Sequence, residues 1–133
     1  MKAAVLRAVN EPLEIEDVQI NKPDPHEVLL RTVSAGICHS DLHFQNGTYP
    51  YPLPSVLGHE SAAVVEEVGS EVSYVEKGDH VITCLSVFCG HCEYCLGGRP
   101  SLCRKHDTRR APDQPPRLVQ GDQVVHQFLD LSS

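Results

Sequence analysis

The sequence predicts a mainly β fold, a small barrel or sandwich that carries one irregular metal-binding lobe. Three observations lead there. Short apolar runs recur through the first part of the chain, each bounded by turn residues. No stretch sustains the apolar period of a long helix. The segment Cys89-Gly90-His91-Cys92-Glu93-Tyr94-Cys95, closed by Cys103, has almost no apolar content from which to build a core.

In chain order, Lys2 to Ala8 is a short apolar run, and Glu14 to Ile20 roughly alternates until Lys22-Pro23-Asp24-Pro25 ends it. His26 to Ala35, with Val28, Leu29, Leu30 and Val33, reads as a longer strand. Ser40 to Phe44 suits one short helical turn, with His39 or Ser40 near its start. Ser61 to Val68 and His80 to Cys84 are two further strands, the first followed by Gly69-Ser70, the second preceded by Lys77-Gly78-Asp79. Cys84 is expected in strand core. Arg104 to Val119 holds three prolines and many charges and reads as an exposed loop. His126 to Leu131 looks like the start of another element.

A length of 133 residues suits one domain. With three Phe, four Tyr and no Trp, its core must be built from Val, Leu, Ile and Ala. The net charge of −7 argues against a nucleic-acid surface, and bound thiolates would only add negative charge. No apolar run approaches membrane-spanning length, and no secretion signal opens the chain. A reducing, cytoplasmic setting follows.

The four lobe cysteines are separated by two, two and seven residues. Zinc suits such a set, because it takes four soft ligands in a tetrahedron and asks for nothing else. Thiolate–zinc bonding in small sites is worth about 10–16 kcal/mol, enough to fold a loop without a core. The last spacing and the following Arg104 do not match a ferredoxin-type iron–sulfur run. Disulfides are the alternative, but the cysteine density is below that of a disulfide scaffold. With all four ligands from protein, the site is closed to chemistry.

Two further segments carry chemistry. Gly36-Ile37-Cys38-His39-Ser40-Asp41-Leu42-His43 packs a thiol, imidazoles, a hydroxyl and a carboxylate after a strand. Gly58-His59-Glu60 stands just before another. Cys38 and His59, with or without Glu60, could hold a second zinc ion in an incomplete shell, as a catalytic metal requires. Taken singly, Cys38 is more often a small buried apolar residue and His59 more often a surface or hydrogen-bonded core histidine than a ligand.

Together these segments, in order with Leu53-Pro54-Ser55-Val56-Leu57, Val65-Glu66-Glu67-Val68-Gly69, Gly78-Asp79-His80-Val81 and the cysteine lobe, resemble the zinc-dependent alcohol dehydrogenases of the medium-chain dehydrogenase/reductase family. The resemblance runs from Met1 to Ser133. It implies a GroES-like, partly open β barrel, with an irregular structural-zinc lobe over residues 88–104. It implies Cys38 and His59 as catalytic zinc ligands, with Glu60 as a carboxylate able to exchange onto the metal. Asp41 would back His59, fixing its tautomer and raising its basicity. Ser40 and His43 would relay the alcohol proton towards solvent, and His39 would touch the cofactor pyrophosphate. Cys89, Cys92, Cys95 and Cys103 would hold structural zinc. Tyr49 and Leu85 would line the substrate pocket. The implied partners are a small alcohol or aldehyde and NAD or NADP, and the full-length enzyme would be a homo-oligomer.

Two departures stand out. Ala63 occupies a position where the family usually has glycine. The family's third catalytic cysteine and its Rossmann domain have no counterpart in this sequence, which contains no G-x-G-x-x-G turn. The chain is therefore expected to be the N-terminal catalytic domain of a longer enzyme, inactive alone; the alternative is a truncated, non-catalytic zinc-binding β module. Redox sensing through an exposed thiolate is a third, weaker reading. The remaining His26, His80, His91, His106 and His126 read as surface or hydrogen-bonded residues, and Glu66-Glu67 and Arg109-Arg110 as solvated faces.

Overall fold

A computed structural model describes residues 1–104 and 113–128. The first strand, β1 (Lys2–Leu6), pairs antiparallel with β2 (Glu14–Asp17) on one side and β5 (Ser55–Val56) on the other. The hairpin of β8 (Leu118–Gln120) and β9 (Gln123–Gln127) turns at Gly121, where φ is +59°, and β9 joins β5 in parallel. The last partner is β3 (Gln19–Ile20), giving the order β2-β1-β5-β9-β8-β3. Strands β2 and β3 thus lie on opposite edges although only Val18 separates them in sequence. A flat sheet cannot satisfy that, so this one curls into a barrel whose two edges meet at Val18. Hydrogen bonds between Met1 and Val18 extend the β1–β2 ladder up to that corner, at 2.6 Å from the terminal amine and 2.8 Å back to the Met1 carbonyl.

The barrel interior holds Val5, Val18, Val56, Leu118 and Val125, each at most 4% exposed, with Ala3 against them. This is the aliphatic core that the scarcity of aromatic residues demands. Fully burying one such side chain stabilises by about 1.5–3 kcal/mol. Side chains bridge the seam: the Arg7 guanidinium donates to Glu16 Oε1 at 2.8 Å and to Gln123 Oε1 at 2.8 Å, and also contacts Gln120 Oε1. Gln120 donates in turn to Glu16 Oε2 at 2.7 Å. The hydrogen bond from Arg7 holds the Glu16 carboxyl below the usual carboxylate range, and the same bond raises Arg7.

A second sheet, in the order β4-β6-β7, joins β4 (Val28–Ala35), β6 (Ser61–Val68) and β7 (His80–Ile82), all antiparallel. Its register pairs Ala35 with Ser61 and Ala62 with Ile82. The chain leaving β4, the chain entering β6 and the chain leaving β7 therefore meet at one sheet end. The helix α1 (His39–Gln45) starts there. Ala63 is 4% exposed within this sheet, and an irregularity in the β4–β6 register falls beside its partner Thr32.

Several sequence expectations change. The run from Glu14 to Ile20 is two strands broken at Val18, because it crosses from one barrel edge to the other. The strand expected from His26 starts at Val28, since Glu27 N–H closes a turn onto Asp24 O at 2.9 Å. Strand β7 stops at Ile82, leaving Cys84 exposed with its thiol 3.5 Å from Ser86 O, not in strand core. Within the expected loop, Leu118 to Gln120 is a strand, too short to show periodicity. The element expected from His126 begins at Gln123. Its continuation over Leu129 to Leu131 lies outside the described residues, as do His106 and Arg109-Arg110. Two short helices in the lobe, α2 (Glu93–Leu96) and a 3-10 turn over Pro100–Leu102, are additions to the sequence reading.

Candidate metal centres

The lobe builds its site from one continuous loop. Cys92 caps α2, Cys95 lies one turn on, and the 3-10 turn delivers Cys103. The sulfurs of Cys92 and Cys95 are 3.5 Å apart, those of Cys89 and Cys95 3.9 Å, and those of Cys92 and Cys103 3.9 Å. A tetrahedron with zinc–sulfur bonds of about 2.3 Å has edges of about 3.8 Å. A disulfide would need about 2.05 Å. The lobe is thus preshaped for a tetrahedral thiolate metal, and all four donors form a group able to hold one. Hydrogen bonds, chiefly from the Cys95 backbone, bring Cys92 down to about 6, while burial pushes Cys95 up to about 11. His91 turns away from the sulfurs, its Nδ1 lying 2.8 Å from the Cys89 carbonyl.

The second group is assembled by the sheet end. Donor atoms of Cys38, His59 and Glu60 all lie within 4.8 Å of one another. Cys38 follows β4 and caps α1, while His59 and Glu60 lead into β6. The main chains are tied by Gly36 N–H donating to Glu60 O at 2.8 Å. Asp41 joins the two segments from beneath. Its Oδ2 accepts the Cys38 N–H at 2.9 Å, and its Oδ1 lies 3.4 Å from His59 Nδ1. His59 is 6% exposed and Asp41 13%, so both are withdrawn from water. With Nδ1 facing the carboxylate, Nε2 is the atom left to bind a metal. Ser40 Oγ lies 3.4 Å from that Nε2.

The other candidates sit around this core with different closeness. Ser40 and His43 are three residues apart on α1 and share a face. The His43 ring packs 4.7 Å from His39 and 4.9 Å from Tyr49, and its buried Nδ1 has no hydrogen bond. His39 itself is exposed at the helix start. Leu85 is 44% exposed in the loop after β7. That loop is anchored nearby by Thr83, whose hydroxyl donates to His59 O at 3.5 Å and accepts Ser61 N–H at 3.1 Å.

Thr83 and an aromatic wall are contributors that sequence reasoning missed. Phe128 packs 4.4 Å from Phe44 and 5.3 Å from His59, and Tyr51 closes on both phenylalanines. Four of the seven Phe and Tyr residues thus gather beside His59 and His43. In so aliphatic a chain, the close spacing of Phe44, Tyr49 and Tyr51 was the available signal.

A curled β barrel joined to a three-stranded sheet, with a four-thiolate lobe and a Cys–His–Glu group, defines a GroES-like domain of the dehydrogenase type. Residues 24–114 match the alcohol dehydrogenase GroES-like domain, and the chain belongs to that family. It is 46% identical over 101 residues to a Mycobacterium tuberculosis protein provisionally named alcohol dehydrogenase D, covering 76% of this chain and 27% of that one. Among solved structures, it resembles an alcohol dehydrogenase zinc-binding domain protein from Burkholderia ambifaria, with a TM-score of 0.77 and 38% identity over 95% of this chain and 35% of the other. It also resembles benzyl alcohol dehydrogenase from Acinetobacter calcoaceticus, with a TM-score of 0.77 and 34% identity over 95% and 34% of the two chains. The chain therefore spans about a third or less of these relatives, and corresponds to their N-terminal GroES-like domain. No helix among the described residues is long and apolar enough to cross a membrane.

Proposed function

We propose that this domain supplies the catalytic metal site of a zinc-dependent alcohol dehydrogenase that oxidises a small alcohol to an aldehyde or ketone with NAD or NADP. The observation that carries this reading is the convergence of Cys38, His59 and Glu60 at one sheet end, with Asp41 behind His59. Cys38 and His59, with a further ligand from a longer polypeptide, leave one position of a zinc tetrahedron, on which Glu60 and a substrate oxygen can exchange; the donor set of thiolate, imidazole and carboxylate suits zinc. In this reading a longer polypeptide contributes the cofactor domain and a further ligand, and assembles as a homo-oligomer. A reducing, cytoplasmic setting keeps the lobe thiols available to metal.

When bound, the second zinc ion would polarise the substrate oxygen and lower its pKa. The chain's own residues do the rest. Asp41, whose Oδ1 lies 3.4 Å from His59 Nδ1, is assigned to orient that ring so that Nε2 is left for the metal. Ser40, beside that Nε2, is donor and acceptor at once and can take the alcohol proton while giving up its own. His43, three residues further along the same α1 face, is assigned to pass that proton on towards solvent. His39, exposed at the helix start, is assigned to the cofactor pyrophosphate. Tyr49 and Leu85 are assigned to the substrate pocket. Cys89, Cys92, Cys95 and Cys103 are assigned to the structural zinc ion, and 1–133 to one GroES-like unit containing the 88–104 lobe.

The test is nicotinamide-linked alcohol oxidation by the longer protein. Cys38→Ala and His59→Ala should each abolish it without releasing lobe zinc. Activity that survives both substitutions would overturn the assignment. One zinc ion per chain, held by the lobe alone and untouched by either substitution, would support a non-catalytic zinc module instead.

A further inference from the structure

Neighbouring residues of an extended chain point to opposite sides. His59 is buried and Glu60 exposed, as that rule expects. The Glu60 carboxylate nevertheless reaches to within 4.8 Å of the Cys38 and His59 donors. Its route back to them runs over Gly36. A Cβ at position 36 would lie 2.2 Å from Glu60 Oε2, 3.3 Å from its Cδ and 3.1 Å from its Cβ. The bare α-carbon of Gly36 is the space in which the carboxylate sits.

We propose that Gly36 is a positioning residue of the metal site, leaving open the seat from which Glu60 reaches a metal held by Cys38 and His59. The inference rests on the metal-site reading above. Three features make it specific. Gly36 is not among the glycines with positive φ, so its backbone conformation is open to alanine. The nearest atom that a methyl would strike is the free end of a flexible side chain, which can swing away. The main-chain bond from Gly36 N–H to Glu60 O needs no side chain at position 36 and survives the change. Alanine here should move the carboxylate and leave the strand pairing intact. Gly36 therefore does at this site what no ligand does: it decides whether the third donor is within reach.

Cobalt(II) titration of the full chain tests this, because thiolate-to-cobalt absorption reports each site without turnover. Cys38→Ala identifies the signal of the second site, and the lobe signal reports an intact fold. Gly36→Ala should weaken cobalt at the second site about tenfold or more, as Glu60→Ala does. The double variant should be no weaker than Glu60→Ala alone, since both changes remove the same interaction. Gly36→Ala with wild-type affinity overturns the proposal, as does an equal further loss in the Glu60→Ala background. Loss of the lobe signal in Gly36→Ala also overturns it, because the methyl would then be disturbing the domain. If wild type shows no cobalt signal sensitive to Cys38→Ala, the metal-site reading itself fails.

Discussion

The two metal-ligand groups of this domain are built in opposite ways. The lobe draws all four donors from one loop, over Cys89 to Cys103, and its sulfurs are already spaced as a zinc tetrahedron requires. Neither of its short helices has a buried residue, so apart from local turns such as Arg99 N–H to Tyr94 O it has no apolar core to hold it. The Cys38–His59–Glu60 group draws its donors from two segments that meet only because β4 and β6 pair. Its geometry is held by a sheet, by the Asp41 carboxylate that accepts the Cys38 N–H, and by packing of Phe128 on His59. One site makes its own structure, and the other is made by structure that exists without it.

The largest expected effect follows from that contrast. Removing metal, or substituting Cys95→Ala, should collapse the lobe and spare the barrel. Structural zinc in small sites contributes about 10–16 kcal/mol, and no core is present to replace it. Limited proteolysis should then cut between residues 88 and 104 while far-ultraviolet circular dichroism keeps its β signal. The metal's hold should also weaken as pH falls. At neutral pH the Cys95 thiol, held up at about 11, must lose a proton for metal to bind, so binding releases protons and affinity rises with pH. Competition with a chelator at two pH values would read this directly.

The reverse experiment attacks the barrel. Leu118→Ala, in a fully buried position, should cost about 2–5 kcal/mol in denaturant unfolding. The expected signature is loss of the Cys38–His59 site along with the barrel, because Phe128 and the sheet support it, while the lobe keeps its metal. A smaller effect is expected from Asp41→Asn, which keeps the size of the side chain but removes its charge beside His59. Affinity at the second site should fall about 10–100-fold, with lobe affinity unchanged. The smallest effect concerns the seam. Glu16 is held below the usual carboxylate range in the folded chain. Its contribution is therefore fully present above that range and is lost as acid protonates the folded-state carboxyl. Glu16→Gln should remove that part of the acid-side fall in melting temperature and leave the rest of the profile in place.

How much of this was legible in the sequence follows the same division. The lobe was readable because its donors are close in sequence and its composition excludes a core. Strand β6 was readable from Ser61 to Val68 because its apolar run ends in a clear turn at Gly69-Ser70. The Cys38–His59 pairing was not, on residues alone, since twenty residues of intervening chain carry no statement about distance. Only order and resemblance joined them. Val18 was opaque for another reason: its role depends on the two edges of a sheet meeting, which no local pattern encodes. Thr83 and Phe128 escaped because their contacts to His59 come through strand register and barrel closure. Cys84 was misplaced because an apolar run says where a strand could continue, not where its partner ends.

The most direct test of the two-site account is the zinc-to-protein ratio of the intact chain, measured by native mass spectrometry on wild type, Cys38→Ala and Cys95→Ala. Two zinc ions in wild type and one in each variant would agree with it, with the lobe still protected in Cys38→Ala and open to protease in Cys95→Ala. A single zinc ion in wild type that persists in Cys38→Ala would contradict it, and would reduce the domain to a lobe that binds metal beside a sheet that does not.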